Sequence, residues 1–342
     1  MSVWTPSAPS TGADRHTAPA GVLFPLVEVV KHWNITADEL LGPFGHCEQD
    51  VSEPLARFPY DLYLAIIDRA RTLTGEPGLG FHWGLQMHVS VFGYLGFATM
   101  SAATLRDAIE LAIQFAPLGT TAEGLRLHVN DNVASIFLEE YADQGSVRDV
   151  ITLARLVGLW KIAEAITGRD LHATAEVAVP EPAYYARLAR KLPPVSFGHA
   201  ATRALMSAEV LDYPLVTANP VALRLAGEQC GRELALLSSG GRLIRAVRGL
   251  VGEREGRARS ASEVARAMHM SPRSLRRKLQ AQGISLFTLL DQERRDRALV
   301  LMQSPELSLA DIAERLGYQN TRNFERAFRR WTGRSPAAYR RS

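Results

Sequence analysis

At 342 residues, with 46% hydrophobic and 22% charged positions, the chain has the composition of a globular protein long enough for two domains with cores of their own. Its net charge of +3 hides an asymmetry: residues 241–342 carry 22 Lys and Arg against 10 Asp and Glu, a net of +12, leaving 17 against 26, a net of −9, for residues 1–240. No run of about 18 apolar residues exists, which excludes a membrane-spanning helix.

An acidic body joined to a basic tail is the charge map of a sensor coupled to a nucleic-acid reader. On charge alone, the alternative is a basic domain that docks on an acidic protein. The two cysteines, Cys47 and Cys230, are far apart in sequence and fit free thiols in a reducing cytoplasm. Neither they nor the nine histidines show metal-ligand spacing, so no metal and no cofactor are expected.

Residues 1–20, rich in Ser, Thr, Pro and Ala, lack the basic and apolar regions of a signal peptide and read as a disordered tail. Residues 21–237 read as a mixed α+β domain for effector binding and oligomerisation. Helices are expected at 22–33 and at 59–73, the latter with Leu62, Ile66, Ile67 and Ala70 at helical spacing. A loop-rich stretch follows, with Gly78, Gly80, Gly84, Gly93 and Gly96 set among aromatic residues. Thr104 caps an amphipathic helix over 105–115. Strands at 124–129 and 133–139 alternate apolar and polar residues about the turn Asn130-Asp131-Asn132. A long apolar helix is expected at 147–166, a strand at 174–179, a helix at 182–191, a strand at 195–199, and a helix at 220–237 that begins with Pro.

The densest pocket-like cluster in this domain is His82, Trp83, His88, Phe92, Tyr94 and Phe97, an apolar set with a few polar groups of the kind that lines small-ligand sites. The plainer alternative is that these rings fill the core. Gly78-x-Gly80-x-x-x-Gly84 fails the dinucleotide fingerprint, because no strand leads into it. Asp61, Asp68, Glu139, Glu140 and His82 are not brought together by any catalytic motif, so an enzyme is not expected.

Ser238-Ser239-Gly240-Gly241 sits where the charge changes sign and reads as a linker. Residues 242–342 then read as all-helical. A helix at 243–251 is followed by a helix-turn-helix at about 261–282, a connecting helix at 286–303 and a second helix-turn-helix at about 308–331. The two units share one pattern. Val264-Ala265 leads through Met270-Ser271 to Leu275 and Leu279; Ile312-Ala313 leads through Gln319-Asn320 to Phe324 and Phe328, forty-nine positions on from the leucines.

In the first unit Ser262 caps the supporting helix and Ser271-Pro272 starts the second, which turns Leu275 and Leu279 inward and Arg273, Arg276 and Arg277 outward. In the second, Ser308 caps 309–316, Gly317 ends it, Tyr318 packs in the turn and Asn320 caps the next helix. Thr321, Arg322, Asn323 and Arg326 are left near its exposed N-terminal end. Arginine bonds guanine bidentately and asparagine adenine, each worth about 1–3 kcal/mol of discrimination. Ser271, Arg329, Arg330, Arg334 and Arg340 are placed for phosphates, which adds affinity and salt dependence.

The segment SPRSLRRKLQAQGISLFTLL, followed by LADIAERLGYQNTRNFERAFRRWTGRSPAAYR, closely resembles the C-terminal domain of the AraC/XylS family of bacterial transcription regulators. Ile-Ala, Leu-Gly-Tyr, Phe-x-Arg-Ala-Phe and Gly-x-Ser-Pro-x-x-Tyr-Arg appear in order. The resemblance implies seven helices, two recognition helices in successive major grooves of promoter DNA, and contact with RNA polymerase in activators. Carried over position by position, it makes base readers of Arg273, Arg276 and Arg277 and of Thr321, Arg322, Asn323 and Arg326. Glu325 departs from the small residue often found before that last arginine, and it can pair with Arg322 or Arg329.

The N-terminal domain resembles the arabinose-binding-type sensor of one branch of the family, through Gly93-Tyr94-Leu95-Gly96, the 104–115 helix, the hairpin and the helix from Val147. That branch includes regulators of ornithine and arginine utilisation and some virulence regulators; the domain name does not make arabinose the ligand. The expectation is a cytoplasmic homodimeric activator of transcription with a small-molecule effector. The alternative is a regulator whose N-terminal domain only dimerises, or one that represses.

Overall fold

A computed structural model of the chain describes residues 16–53, 55–130, 132–237, 243, 247, 250, 261–280, 285–304 and 306–341. The chain divides into two compact units, the first built mainly from residues 15–236 and the second from residue 237 onward. The expected linker at 238–241, Asp131 of the expected turn and most of the expected helix at 243–251 lie outside the described residues; Leu243, Val247 and Leu250 are helical. No described helix is long and apolar enough to cross a membrane.

The first unit begins earlier than the sequence suggests. Strand β1 (Thr17–Pro19) pairs antiparallel with β2 (Arg57–Pro59), so residues 17–19 of the expected tail are ordered, with Ala18 buried between them. Arg57 holds this pair in place. Its guanidinium donates to Thr17 Oγ1 at 2.9 Å and to the carbonyls of Leu118 at 2.8 Å and Thr17 at 3.0 Å. Burial without a carboxylate in hydrogen-bond contact pushes this guanidinium down to about 10.

The expected helix at 22–33 is α1 (Phe24–Val30) with a tighter 3-10 turn at each end. Two short helices not foreseen, α2 (Ala37–Leu41) and α3 (Glu48–Ser52), follow it. Helix α4 (Tyr60–Thr74) comes next and stops at Gly75, whose φ of 59° is left-handed.

The glycine-rich stretch is helical rather than looped: α5 (Leu79–Leu85) and α6 (Gly93–Met100) occupy it. Its glycines let backbones approach. A Cβ on Gly80 would lie 2.4 Å from the carbonyl oxygen of Val150, and one on Gly84 would lie 2.7 Å from Val157 Cβ. Both contacts are to α9 (Arg148–Thr167), the expected long helix, which ends at left-handed Gly168. A further Cβ on Gly96 would lie 1.9 Å from the Val89 carbonyl oxygen.

Between these helices come α7 (Leu105–Gln114), capped by Thr104 in a full capping box with Asp107, and the short α8 (Ala116–Gly119). Strands β3 (Glu123–Asn130) and β4 (Val133–Glu140) are adjacent, as the alternation predicts.

The five-stranded sheet runs β3-β4-β7-β5-β6. Strand β5 (Thr174–Val177) pairs parallel with β6 (Val195–Phe197). The centre is β7 (Arg203–Ser207), which the sequence does not announce; it runs antiparallel to β4 on one side and β5 on the other. The expected helix at 182–191 shrinks to α10 (Tyr185–Leu188) and a 3-10 turn. Helix α11 (Pro220–Leu236) packs on α6, and Ala226 and Cys230 are its two buried residues.

The second unit is helical: α12 (Ala261–Ala267), α13 (Pro272–Gln280), α14 (Leu286–Leu301), α15 (Leu309–Arg315), α16 (Thr321–Thr332) and α17 (Pro336–Tyr339). Helix α12 already includes Ser262, which is therefore within the first turn and not its cap. Val264, Ala265, Leu275 and Leu279 form one apolar cluster with Leu286, Leu289 and Leu290 of α14. In the second helix-turn-helix, Ile312, Ala313, Leu316, Phe324 and Phe328 are fully or almost fully buried.

Candidate nucleic-acid interface

Both helix-turn-helix units are built by local hydrogen bonding. Ser271 Oγ accepts from the Ser274 amide at 3.1 Å and Asn320 Oδ1 from the Asn323 amide at 2.9 Å, so each recognition helix starts at a side-chain cap. Ser308 caps α15 in a capping box with Asp311, whose carboxyl is held below its usual range by the Ser308 hydroxyl and amide.

The supporting helices end alike. The Met270 amide reaches the Ala265 carbonyl and the Tyr318 amide the Ala313 carbonyl, each at 2.9 Å, with His269 and Gly317 left-handed at the corresponding place. These bonds are forty-eight positions apart, whereas the recognition helices α13 and α16 start forty-nine apart. The second turn is one residue longer.

On α13, Leu275 and Leu279 are buried while Arg273, Arg276 and Arg277 are exposed. On α16, Phe324, Ala327 and Phe328 are buried, Arg322 and Arg326 exposed, and Thr321 and Asn323 half-buried at its first turn. All seven residues expected to read bases therefore lie on recognition helices with side chains at least partly open. Among the described residues, Glu325 makes no ion pair with Arg322 or Arg329.

The five expected phosphate contacts divide. Arg329 and Arg334 are exposed, and Ser271 is exposed at the start of α13. Arg330 instead donates to Asp291 Oδ1 at 2.7 Å, and Arg340 donates to the Ser304 carbonyl at 3.1 Å. Both brace the domain. Asp291, on the connecting helix α14, also accepts from Trp331 Nε1 at 2.9 Å, and Arg294 of the same helix lies 5.7 Å from the Tyr318 ring. Tyr318 in turn meets Phe324, and Phe328 meets Tyr339, at ring separations of 5.9 and 5.3 Å. The second recognition helix is thus keyed to α14 by a carboxylate and an aromatic chain.

The first unit contains a partly open cavity of about 230 Å³, walled by α5, α7, α9 and the sheet. Of the six residues singled out by sequence, Trp83 and Phe92 line it. His82, His88, Tyr94 and Phe97 do not: His82 stacks edge-on with Trp33 at 5.5 Å, and the other three are exposed. Residues not foreseen, among them Tyr63, Met87, Ile109 and Trp160, complete the wall.

So do Glu123 and Arg155, paired at 2.8 Å. Tyr60 and Gln144 donate to Glu123 at 2.8 and 3.1 Å, and desolvation beside this carboxylate raises the Tyr60 phenol far above its usual range. The signal in sequence was one arginine at the middle of an apolar helix.

Residues 35–215 match the family described as the arabinose-binding domain of AraC transcription regulators, and residues 264–342 match a helix-turn-helix domain family. The chain is 31% identical to an ornithine utilization regulator of Pseudomonas aeruginosa, over 92% of this chain and 94% of that one. It is 28% identical to an uncharacterized helix-turn-helix-type transcriptional regulator of Mycobacterium tuberculosis, with the same coverage of each chain. The crystal structure of the transcriptional regulator CdpR from Pseudomonas aeruginosa aligns with a TM-score of 0.47 at 24% identity, over 93% of this chain and 97% of that one.

Proposed function

Because the chain belongs to the AraC family of DNA-binding transcription regulators, we propose that it activates transcription in the cytoplasm in response to a small-molecule effector held in its N-terminal unit. The observation that carries this reading is the apolar cavity in the unit that matches the arabinose-binding description, in a chain that also carries two arginine-faced recognition helices. The effector acts by binding one arrangement of the chain more tightly than another, and so shifts the population that engages promoter DNA and RNA polymerase.

Within the DNA-binding unit, Arg273, Arg276 and Arg277 read one half-site and Thr321, Arg322, Asn323 and Arg326 the next. The first presents almost nothing but arginine and favours guanine. Ser271, Arg329 and Arg334 contact phosphates. Arg330 and Arg340, already engaged inside the domain, contribute through the shape of the reader.

Binding-site selection from random DNA with the full chain tests the reading. Arg277→Ala should relax base preference in one half-site and Arg326→Ala in the other, each by about 1–3 kcal/mol. Equal loss on selected and random DNA would move that residue to the phosphate class. Failure to enrich any sequence would overturn specific promoter binding.

A second reading, a unit that dimerises without a ligand, is supported by Tyr94 and Phe97 on α6 and Val221 and Leu225 on α11, four large apolar side chains left exposed on two helices that pack together. A homodimer is compatible with both readings. A metabolite that raises the melting temperature of the full chain separates them.

A further inference from the structure

We propose that Glu325 is a base reader whose carboxylate selects a cytosine in the half-site of the second recognition helix. The proposal rests on the base-reading role given above to α16. It adds one residue to the readers and one base to the site.

The two recognition helices correspond at an offset of forty-nine positions. Leu275 answers Phe324 and Leu279 answers Phe328 on the buried side, while Arg273 answers Arg322 and Arg277 answers Arg326 on the open side. The same offset sets Glu325 against Arg276, and both are exposed. One position of the reader therefore carries opposite charge in its two copies, between neighbours that match.

Glu325 stands among arginines. Phe324, Ala327 and Phe328 are turned inward, and Arg322, Glu325, Arg326 and Arg329 are exposed. Arg322 and Arg329, three positions before it and four after, are its neighbours along the helix surface, and charges so spaced commonly pair. Among the described residues, Glu325 makes no ion pair with either. Its carboxylate is left to meet whatever the helix meets.

A carboxylate brought into a groove flanked by phosphates is repelled, and a donor on a base edge offsets that repulsion. The four bases differ in what they offer there. Guanine presents two acceptors, N7 and O6; thymine presents an acceptor and a methyl group; adenine sets a donor beside an acceptor. Cytosine presents the N4 donor with no acceptor next to it. A carboxylate therefore favours cytosine and is repelled most by guanine, the base that an arginine such as Arg276 favours at the matching place of the first reader.

Binding-site selection from random DNA with the full chain, followed by titration of the selected site carrying each of the four bases, tests this. The wild type should select cytosine at one position of the half-site that Arg326→Ala relaxes. Glu325→Ala should lower the preference for cytosine over guanine at that position by about ten-fold. Glu325→Gln keeps the size and removes the charge, and should move the preference to adenine, whose N6 and N7 a carboxamide bonds together. Glu325→Arg should move it to guanine. The side chain is exposed, so the three variants should fold as the wild type does. Preference is also a ratio of affinities within one variant, which a loss of active protein leaves unchanged.

An equal gain in affinity on all four bases would overturn the proposal and make Glu325 a brake on phosphate binding. Unchanged preference in the three variants would overturn it too. In both cases the reading of bases by α16 stands wherever Arg326→Ala still relaxes the half-site. If the wild type enriches no sequence, that reading falls and the proposal with it.

Discussion

Asp291 holds Trp331: the indole Nε1 donates to its Oδ2 at 2.9 Å across forty positions of sequence. The same carboxylate takes Arg330 on its other oxygen. This one residue on the connecting helix therefore fixes the C-terminal half of the second recognition helix. The Arg330 pair is largely open to water and adds little to stability. The bond to Trp331, to a charged acceptor in a partly buried place, is worth more.

Asp291→Ala should therefore destabilise the second unit by about 1–2 kcal/mol, measured by denaturant unfolding of the full chain. Its effect on DNA should be uneven. The half-site read by α16 should weaken while that read by α13 keeps its preference. Uniform loss across both half-sites would mean that Asp291 supports the unit as a whole.

Gly317 ends the supporting helix of the second reader at φ 76°, and a Cβ there would meet nothing within 4 Å. Only backbone conformation is at stake. Gly317→Ala should cost about 1 kcal/mol, read as a lower unfolding midpoint. In the first reader His269 holds the same left-handed place at φ 52°. His269→Ala should thus be far milder than Gly317→Ala, because the conformational cost is already present.

The second unit was legible because its signals are local. The caps at Ser271, Ser308 and Asn320, the left-handed Gly317 and the inward faces of α13 and α16 all rest on partners within a few residues. Ser262 misled because a serine inside the first turn of a helix reads like one before it.

The first unit was less legible because its signals are distant. Strand β7 opens with Arg203, which breaks the apolar pattern. Yet Arg203 is 1% exposed and donates to Glu176 at 2.7 Å, twenty-seven residues away. The glycines of α5 looked like loop punctuation, because the helix they approach lies about seventy positions further on. The same distance hid Arg155 and Glu123 from the reading of the cavity, and left only Trp83 and Phe92 of the expected six on its wall.

The two thiols should react very differently. Cys47 is exposed, whereas Cys230 is fully buried on α11. Desolvation, aided by the nearby Glu233 carboxylate, pushes the Cys230 thiol up to about 11. Brief alkylation of the native chain at pH 8 should label Cys47 alone, as read by peptide mass spectrometry.

The folded thiol keeps its proton to higher pH than the unfolded one, whose value is near 9. The stability this contributes is present below pH 9 and lost as pH rises toward 11. Cys230→Ala should be less sensitive to alkali than the wild type in that window. Labelling of Cys230 at the rate of Cys47 would mean that α11 opens readily from the unit.

Gly84 lies where α5 comes closest to Ala154 and Val157 of α9. A Cβ there would lie 2.7 Å from Val157 Cβ and 2.8 Å from the Ala154 carbonyl oxygen, contacts that only a shift of α5 away from α9 can relieve. Gly84→Ala should destabilise the first unit by about 1–3 kcal/mol through overpacking. Gly227 of α11 supplies the contrast, since a Cβ on it meets nothing within 4 Å and the residue lies mid-helix. Gly227→Ala should stabilise by about 0.5–1 kcal/mol.

The opposite signs of two chemically identical changes in helices of one unit isolate close approach from helix propensity. Because Trp83 precedes Gly84 directly and Arg155 follows Ala154, the shift forced by Gly84→Ala also moves two walls of the cavity. Ligand-induced stabilisation should then shrink in Gly84→Ala and stay at the wild-type value in Gly227→Ala. Equal stabilisation of both variants by ligand would show that the α5–α9 crossing does not shape the cavity.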